Sequence, residues 1–176
     1  MRKIILSILV SLFVLFSFSQ NQTTTNDIMQ KHSGDSLSVK VIKVDQTTIT
    51  FKYPGEEAEQ TIGKFAVSTI IYGSSGRVEK ISDKIEIRGD EDWEKVEIVT
   101  DKAQVWGLKK GEEVIGRTSG FFSYHLFVNT ADKKATSKIK KAAAALKAPF
   151  VLITSERVVT FDNIQSIKNG ATYSYK

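Results

Sequence analysis

The amino-acid sequence predicts an α+β protein, in which a small curled β-sheet or barrel-like module precedes a mainly antiparallel sheet covered by one long helix. Short apolar stretches separated by turn residues crowd the segment from Ser38 to Ile81. A single alanine- and lysine-rich run, Ala131 to Lys147, carries helical spacing, and β-branched stretches return after Pro149. Closely spaced strands with turn signals read as a barrel or curled sheet, and a helix bracketed by strands reads as an α+β layer. On this basis residues 1–19 form a signal peptide, 20–33 a flexible leader, 34–84 the β module and 85–176 the α+β module.

Arg2 and Lys3 give a positive start to an apolar stretch, Ile4 to Phe18, broken only by serines. It closes on Phe16-Ser17-Phe18-Ser19, with small residues at the positions a signal peptidase reads, so that Gln20 becomes the new N-terminus. The run is shorter than the roughly 20 apolar residues of a membrane span. The expectation is therefore an exported chain, periplasmic or extracellular, with no transmembrane segment once the signal is removed. The Thr, Asn and Gln composition up to about Lys31 reads as flexible, with order beginning near Gly34.

In the β module, Val39, Val41 and Val44 mark a strand, with Asp45-Gln46 as its turn. Ile49, Phe51 and Tyr53 alternate with Thr48, Thr50 and Lys52, which predicts a half-buried strand ended by Pro54-Gly55. Thr61-Ile62 and Thr69 to Tyr72 are the next strands. Gly73-Ser74-Ser75-Gly76 then connects to Arg77 to Ile81. The second module starts near Ile85 or Trp93. Glu94 to Val99 alternates, and Val105 to Lys109 and Glu113 to Arg117 flank Lys110-Gly111-Glu112 as a hairpin. Tyr124 to Val128 reads as a further strand. Thr130 can N-cap the helix, whose narrow apolar stripe is Ala135, Ile139, Ala142, Ala143 and Leu146. Small alanines there would let it lie close against a sheet, and Pro149 stops it. Phe150 to Thr154, Val158 to Phe161 and Ala171 to Lys176 read as strands.

The composition narrows the chemistry. No cysteine is present, which removes disulfides, thiolate metal sites, a cysteine nucleophile and a lipobox anchor together. Loss of Arg2 and Lys3 would leave 23 basic against 20 acidic residues, a balance of +3. So small an excess is weak support for an anionic partner, and an exported chain does not meet nucleic acid. The two histidines, His32 in the leader and His125 in a predicted strand, lack metal-ligand spacing. Gly73-Ser74-Ser75-Gly76 lacks both the spacing and the strand-turn-helix setting of a nucleophile elbow. Asp90-Glu91-Asp92-Trp93-Glu94 is the most acidic run, but Lys95 stands where a calcium loop needs its turn glycine. No catalytic residue, metal ligand or cofactor is assigned.

Two features remain as candidate binding elements. Lys133, Lys134, Lys138 and Lys141 ride on the helix together with Lys140 and Lys147, opposed there only by Asp132. Such a face could touch anionic headgroups or acidic polysaccharide, or its lysine stems could simply border the alanine stripe. Phe121 and Phe122 follow Ser119-Gly120 at a loop-to-strand junction, as core or, if exposed, as the centre of a protein interface.

The segment from Gly34-Asp35-Ser36-Leu37 through Ile70-Ile71-Tyr72-Gly73 resembles a β module common in secreted proteins of the Bacteroidetes, where signals ending in Phe-Ser-Gln, as at Phe18-Ser19-Gln20, are also usual. Lys138 to Ser155, with its Lys-Lys-Ala-Ala-Ala-Ala-Leu-Lys-Ala-Pro-Phe-Val-Leu-Ile run, is similar to the helix-strand core of small α/β envelope proteins, among them the lipoprotein sensor of the Rcs envelope-stress relay and a family labelled heavy-metal-binding. The resemblances touch about half of the chain beyond the signal and imply a fold and a compartment. The lack of cysteine departs from both envelope families, so neither metal nor sensing carries over. The functional expectation is an exported non-enzymatic binding or interaction protein, its partner an envelope protein or an anionic surface or polysaccharide. The alternatives are a hydrolase of envelope or extracellular polymer, whose carboxylates only the fold would bring together, and a small-ligand carrier with an apolar cavity in the β module.

Overall fold

Alternating burial along two neighbouring segments builds the centre of a first sheet. Val39 is buried in β2 (Ser36–Val44), as are Ile49 and Phe51 in β3 (Thr48–Lys52). Their turn at Asp45-Gln46 is closed by the Asp45 N–H donating to the Thr48 carbonyl at 2.8 Å. The structure, a computed structural model, describes residues 26–118, 128–159 and 165–175. It is an α+β arrangement of two sheets and one long helix.

The first sheet adds β1 (Asp27–Lys31), β4 (Glu59–Gly63), β5 (Val67–Ile71) and β6 (Val78–Lys80). Its order is β4-β3-β2-β1-β5-β6, antiparallel throughout. Pro54-Gly55 and the Gly73 to Gly76 connection are turns, with Gly55 and Gly76 at φ 81° and 67°, conformations that favour glycine.

Within the flexible leader expected over residues 20–33, the described part instead holds β1, Asp27–Lys31. It lies inside the sheet between β2 and β5, and Met29 is fully buried. The polar composition misled because Asp27 has structural work. Both Asp27 carboxylate oxygens accept backbone N–H groups, from Val41 and Gly73 at 2.9 Å each. The turn after β1 brings Gly34 to φ 100° and returns the chain to β2.

The second sheet has the order β7-β9-β10-β8, from β7 (Glu97–Val99), β8 (Lys109–Arg117), β9 (Phe150–Val159) and β10 (Gln165–Ser174). Only β7 and β9 run parallel. The helix α1 (Val128–Ala145) covers one face, with Ala135, Ile139, Ala143 and Ala144 buried. The helix begins earlier than expected, so Thr130 lies within its first turn instead of capping it. Leu146 falls beyond its end and is exposed, and Ala144 takes the buried place. Gly116 of β8 permits the close approach: a Cβ there would meet the Ala135 carbonyl oxygen and lie 2.9 Å from the Ile139 Cβ.

Two further expectations change. Lys110-Gly111-Glu112 is no hairpin turn but the interior of β8, which pairs with β10 across that stretch. The chain bends earlier, at Gly107, with φ 87°. Gly111 is small because Thr172 crowds it: a Cβ would lie 2.6 Å from the Thr172 Oγ1. Phe150 to Thr154 and Val158 also belong to one continuous strand, β9. The strand expected over Tyr124 to Val128 lies outside the described residues except for Val128, which opens α1.

The sheets share a core. Phe150 and Leu152 point into the cluster that holds Met29, Val39, Ile49, Phe51 and Ile70, while Val151 between them packs under α1 with Val96, Val114 and Ile139. A strand covered on both faces requires an unbroken apolar run, and Phe150-Val151-Leu152-Ile153 supplies one. Among the described residues no helix is long and apolar enough to cross a membrane.

Candidate functional site

Three places gather polar side chains. The first is the face of α1, where the sequence put its candidate lysines. Lys138 Nζ donates to the Arg117 carbonyl at 2.9 Å, and Lys140 Nζ to the Glu94 carbonyl at 3.3 Å. Lys141 Nζ stands 5.1 Å from the centroid of the Trp93 ring. These lysines clamp the helix to its surroundings, and their stems border the alanine stripe. Lys133 and Lys134 are exposed, with no side-chain partner among the described residues. Phe121, Phe122 and His125 lie outside the described residues.

The second place is the outer end of the same helix. Lys168 is buried beneath it and bonds Asp132 at 2.9 Å and Glu156 at 2.7 Å. Ser166 donates to Asp132 at 3.2 Å, and Thr118 to the Ala131 carbonyl at 3.2 Å. Burial pulls the Lys168 ammonium down, but its bonds to Glu156 and Asp132 outweigh it and hold the pKa above the ordinary value. Burial likewise pushes the Asp132 carboxyl up, and the bonds from Lys168 and its neighbours bring it below the usual range. Both groups are fixed in their charged forms.

The third place, which sequence reasoning missed, is the junction of the two sheets. The β1–β2 turn, the strand-free segment from Lys84 to Arg88, the exit of α1 and the end of β10 meet around an open hollow of about 420 Å³. His32, Lys84, Glu86, Arg88, Lys147 and Tyr175 line it. This hollow is called the trough below; a neighbouring hollow of about 430 Å³ shares Lys84, Ile85, Glu86 and Arg88 with it and adds Lys95 and Glu97.

His32 is held in place, not free in a leader. Its backbone N–H donates to the Ala66 carbonyl at 3.0 Å, and its Nε2 lies 2.9 Å from the Ser82 hydroxyl. That hydroxyl donates to the Val67 carbonyl at 2.7 Å, which leaves it to accept from a neutral Nε2–H imidazole. Burial lowers the His32 pKa, and the nearby Lys84 ammonium lowers it further. Tyr175 closes the inner wall, its hydroxyl accepting the Ile85 N–H at 3.1 Å.

The ion pairs of the described residues leave the trough cations out, as they do several other surface lysines. Lys31, Lys43, Lys52, Arg77, Lys80, Lys95, Lys110 and Lys168 all have carboxylate partners. Lys84, Arg88 and Lys147 enter no ion pair among the described residues. Lys147 also occupies the left-handed region, at φ 54°. It sits just past the helix, where Lys147 N–H bonds the Ala144 carbonyl at 2.8 Å and Ala148 N–H the Ala143 carbonyl at 3.0 Å. That is the Schellman ending, whose left-handed position usually belongs to glycine.

No family model, curated protein or solved structure matches this chain. Its chemistry therefore rests on its own side chains. The acidic run forms a 3₁₀ turn over Asp90–Lys95, in which Asp92 bonds Lys95 and accepts the Arg88 N–H at 2.9 Å. No cluster of three or more metal-ligating side chains occurs among the described residues. A signal for the trough did exist in the sequence, in Lys84, Arg88 and Lys147. Lys147 lies too far along the chain from Lys84 and Arg88 for the three to read as one patch.

Proposed function

We propose that this chain is an exported, non-enzymatic binding protein of the cell envelope or periplasm whose partner carries negative charge. The N-terminal pattern of Arg2-Lys3, an apolar stretch and Phe16-Ser17-Phe18-Ser19 supports export. The observation that carries the binding reading is the convergence of Lys84, Arg88 and Lys147, all without ion pairs, on one open trough. A group of cations in excess over the one carboxylate lining the same hollow, Glu86, attracts anions and focuses their field. Lys133 and Lys134 add exposed positive charge on α1.

Crosslinking in the native host, followed by recovery of the mature chain, tests this reading. An acidic envelope protein or polymer recovered with the native chain, and lost from a Lys84→Gln/Arg88→Gln/Lys147→Gln variant, is expected. A solitary protein under the same conditions would overturn it.

A hydrolytic reading has one observation in its favour, the approach of Asp132 and Glu156 to the same Lys168 ammonium. A general acid, however, needs its pKa raised toward neutrality, and Asp132 is moved the other way. Turnover of an envelope polymer, abolished by Asp132→Asn, would restore that reading.

A further inference from the structure

We infer that the trough at the sheet junction is a binding site for a phosphate monoester, held by Lys84, Arg88 and Lys147. The inference rests on the binding reading above and names the chemistry of its ligand.

Charge balance points to the class. Three permanent cations and Glu86 line the hollow, leaving a net charge of +2 with His32 neutral. A phosphate monoester carries about −1.5 to −2 at neutral pH, whereas a single carboxylate would leave half of the excess uncompensated. An arginine fork together with lysine ammoniums suits the three terminal oxygens of a phosphate monoester. The volume of about 420 Å³ falls within the range of small-molecule sites, with room for the organic part of the ester.

The backbone at Lys147 is an independent indication. A lysine at φ 54° costs more than the glycine that such helix endings favour. Strain of this kind persists where a side chain is needed in place. Here the residue so held is one of the three cations that line the hollow.

The full mature chain is titrated with glucose 6-phosphate and, in parallel, with glucuronate, which presents a monocarboxylate on a comparable ring. Calorimetry reads affinity. Proton NMR reads the His32 ring, assigned with a His125→Gln variant because only two histidines are present. The groups facing His32 are Lys84, Asp83, Ser82 and Tyr175, with Glu86, Arg88 and Lys147 around the same hollow. A dianion among them raises the His32 pKa.

The expected result is saturable binding of glucose 6-phosphate with an upward shift of the His32 titration. Binding should weaken about tenfold for each of Lys84→Gln and Arg88→Gln, the scale of one charged hydrogen bond. Lys133→Gln should leave it unchanged. Lys147→Gly should weaken it while preserving or raising thermal stability, which separates lost binding from lost fold. Vesicles containing phosphatidate distinguish a lipid headgroup from a soluble ester, and binding to either upholds the inference. Equal binding of glucuronate would overturn the phosphoryl assignment. No binding of any phosphate probe would overturn the site altogether, and an acidic partner still recovered by crosslinking would then leave the binding reading standing.

Discussion

The ring of Tyr175 packs 5.0 Å from the ring of His32, so the end of the last strand is tied to the turn that follows the first. The same tyrosine meets Phe150 edge-on at 5.6 Å, inside the core that both sheets share. Truncating Tyr175→Ala should cost about 2–3 kcal/mol, below a full core deletion because the ring is only partly buried. Tyr175→Phe keeps the ring and removes only the acceptor for the Ile85 N–H, which should cost about 1 kcal/mol. Urea unfolding of the two variants checks the order.

His32 makes stability depend on pH in one direction. Its folded pKa lies below the ordinary histidine value, so the unfolded chain binds the proton first. The folded state therefore loses stability as pH falls through about 6.5, until the folded group also protonates. Thermal unfolding between about pH 8 and pH 5.5 should show the decline, and His32→Gln should flatten it.

The Lys168 cluster acts at both extremes of pH. Asp132 is depressed in the fold, so its contribution is present above its unfolded pKa and lost as pH falls through the folded value. Lys168 is raised, so its contribution is complete below its unfolded pKa and lost as pH rises through the folded value. Lys168→Met should cost about 1–2 kcal/mol near neutrality, a figure discounted because both carboxylates are partly exposed. A double-mutant cycle with Asp132→Asn should show positive coupling.

Gly116→Ala should destabilise by about 1–3 kcal/mol, the usual cost of forcing atoms into a packed interface. The added methyl collides with the backbone of α1 at Ala135, which cannot give way as a flexible side chain could. Chemical denaturation checks the cost, and a neutral result would mean that α1 can lift from β8.

Local pattern was legible wherever one face of an element is buried. Ile49 and Phe51 announced β3 through alternation, and Ala135, Ile139 and Ala143 announced α1 through spacing of four. β1 was hidden because a short strand with one buried side chain, Met29, offers no period to count. β8 was divided because Gly111 looks like a turn residue, although its small size serves the contact with Thr172. The lysines of α1 were visible as a basic run, but not the contacts of Lys138, Lys140 and Lys141 with the Arg117 carbonyl, the Glu94 carbonyl and the Trp93 ring.

The sequence by itself determined the α+β composition, the position of the long helix and the lack of any cysteine-based chemistry, because periodicity and residue type are carried by near neighbours. Tertiary structure alone decided that β1 enters the first sheet, that Phe150 and Leu152 join both sheets in one core, and that Lys84, Arg88 and Lys147 face a common trough. Those relationships depend on which distant segments pack together. Burial of apolar surface and closure of backbone hydrogen bonds select that packing over the whole chain, and no local window contains it.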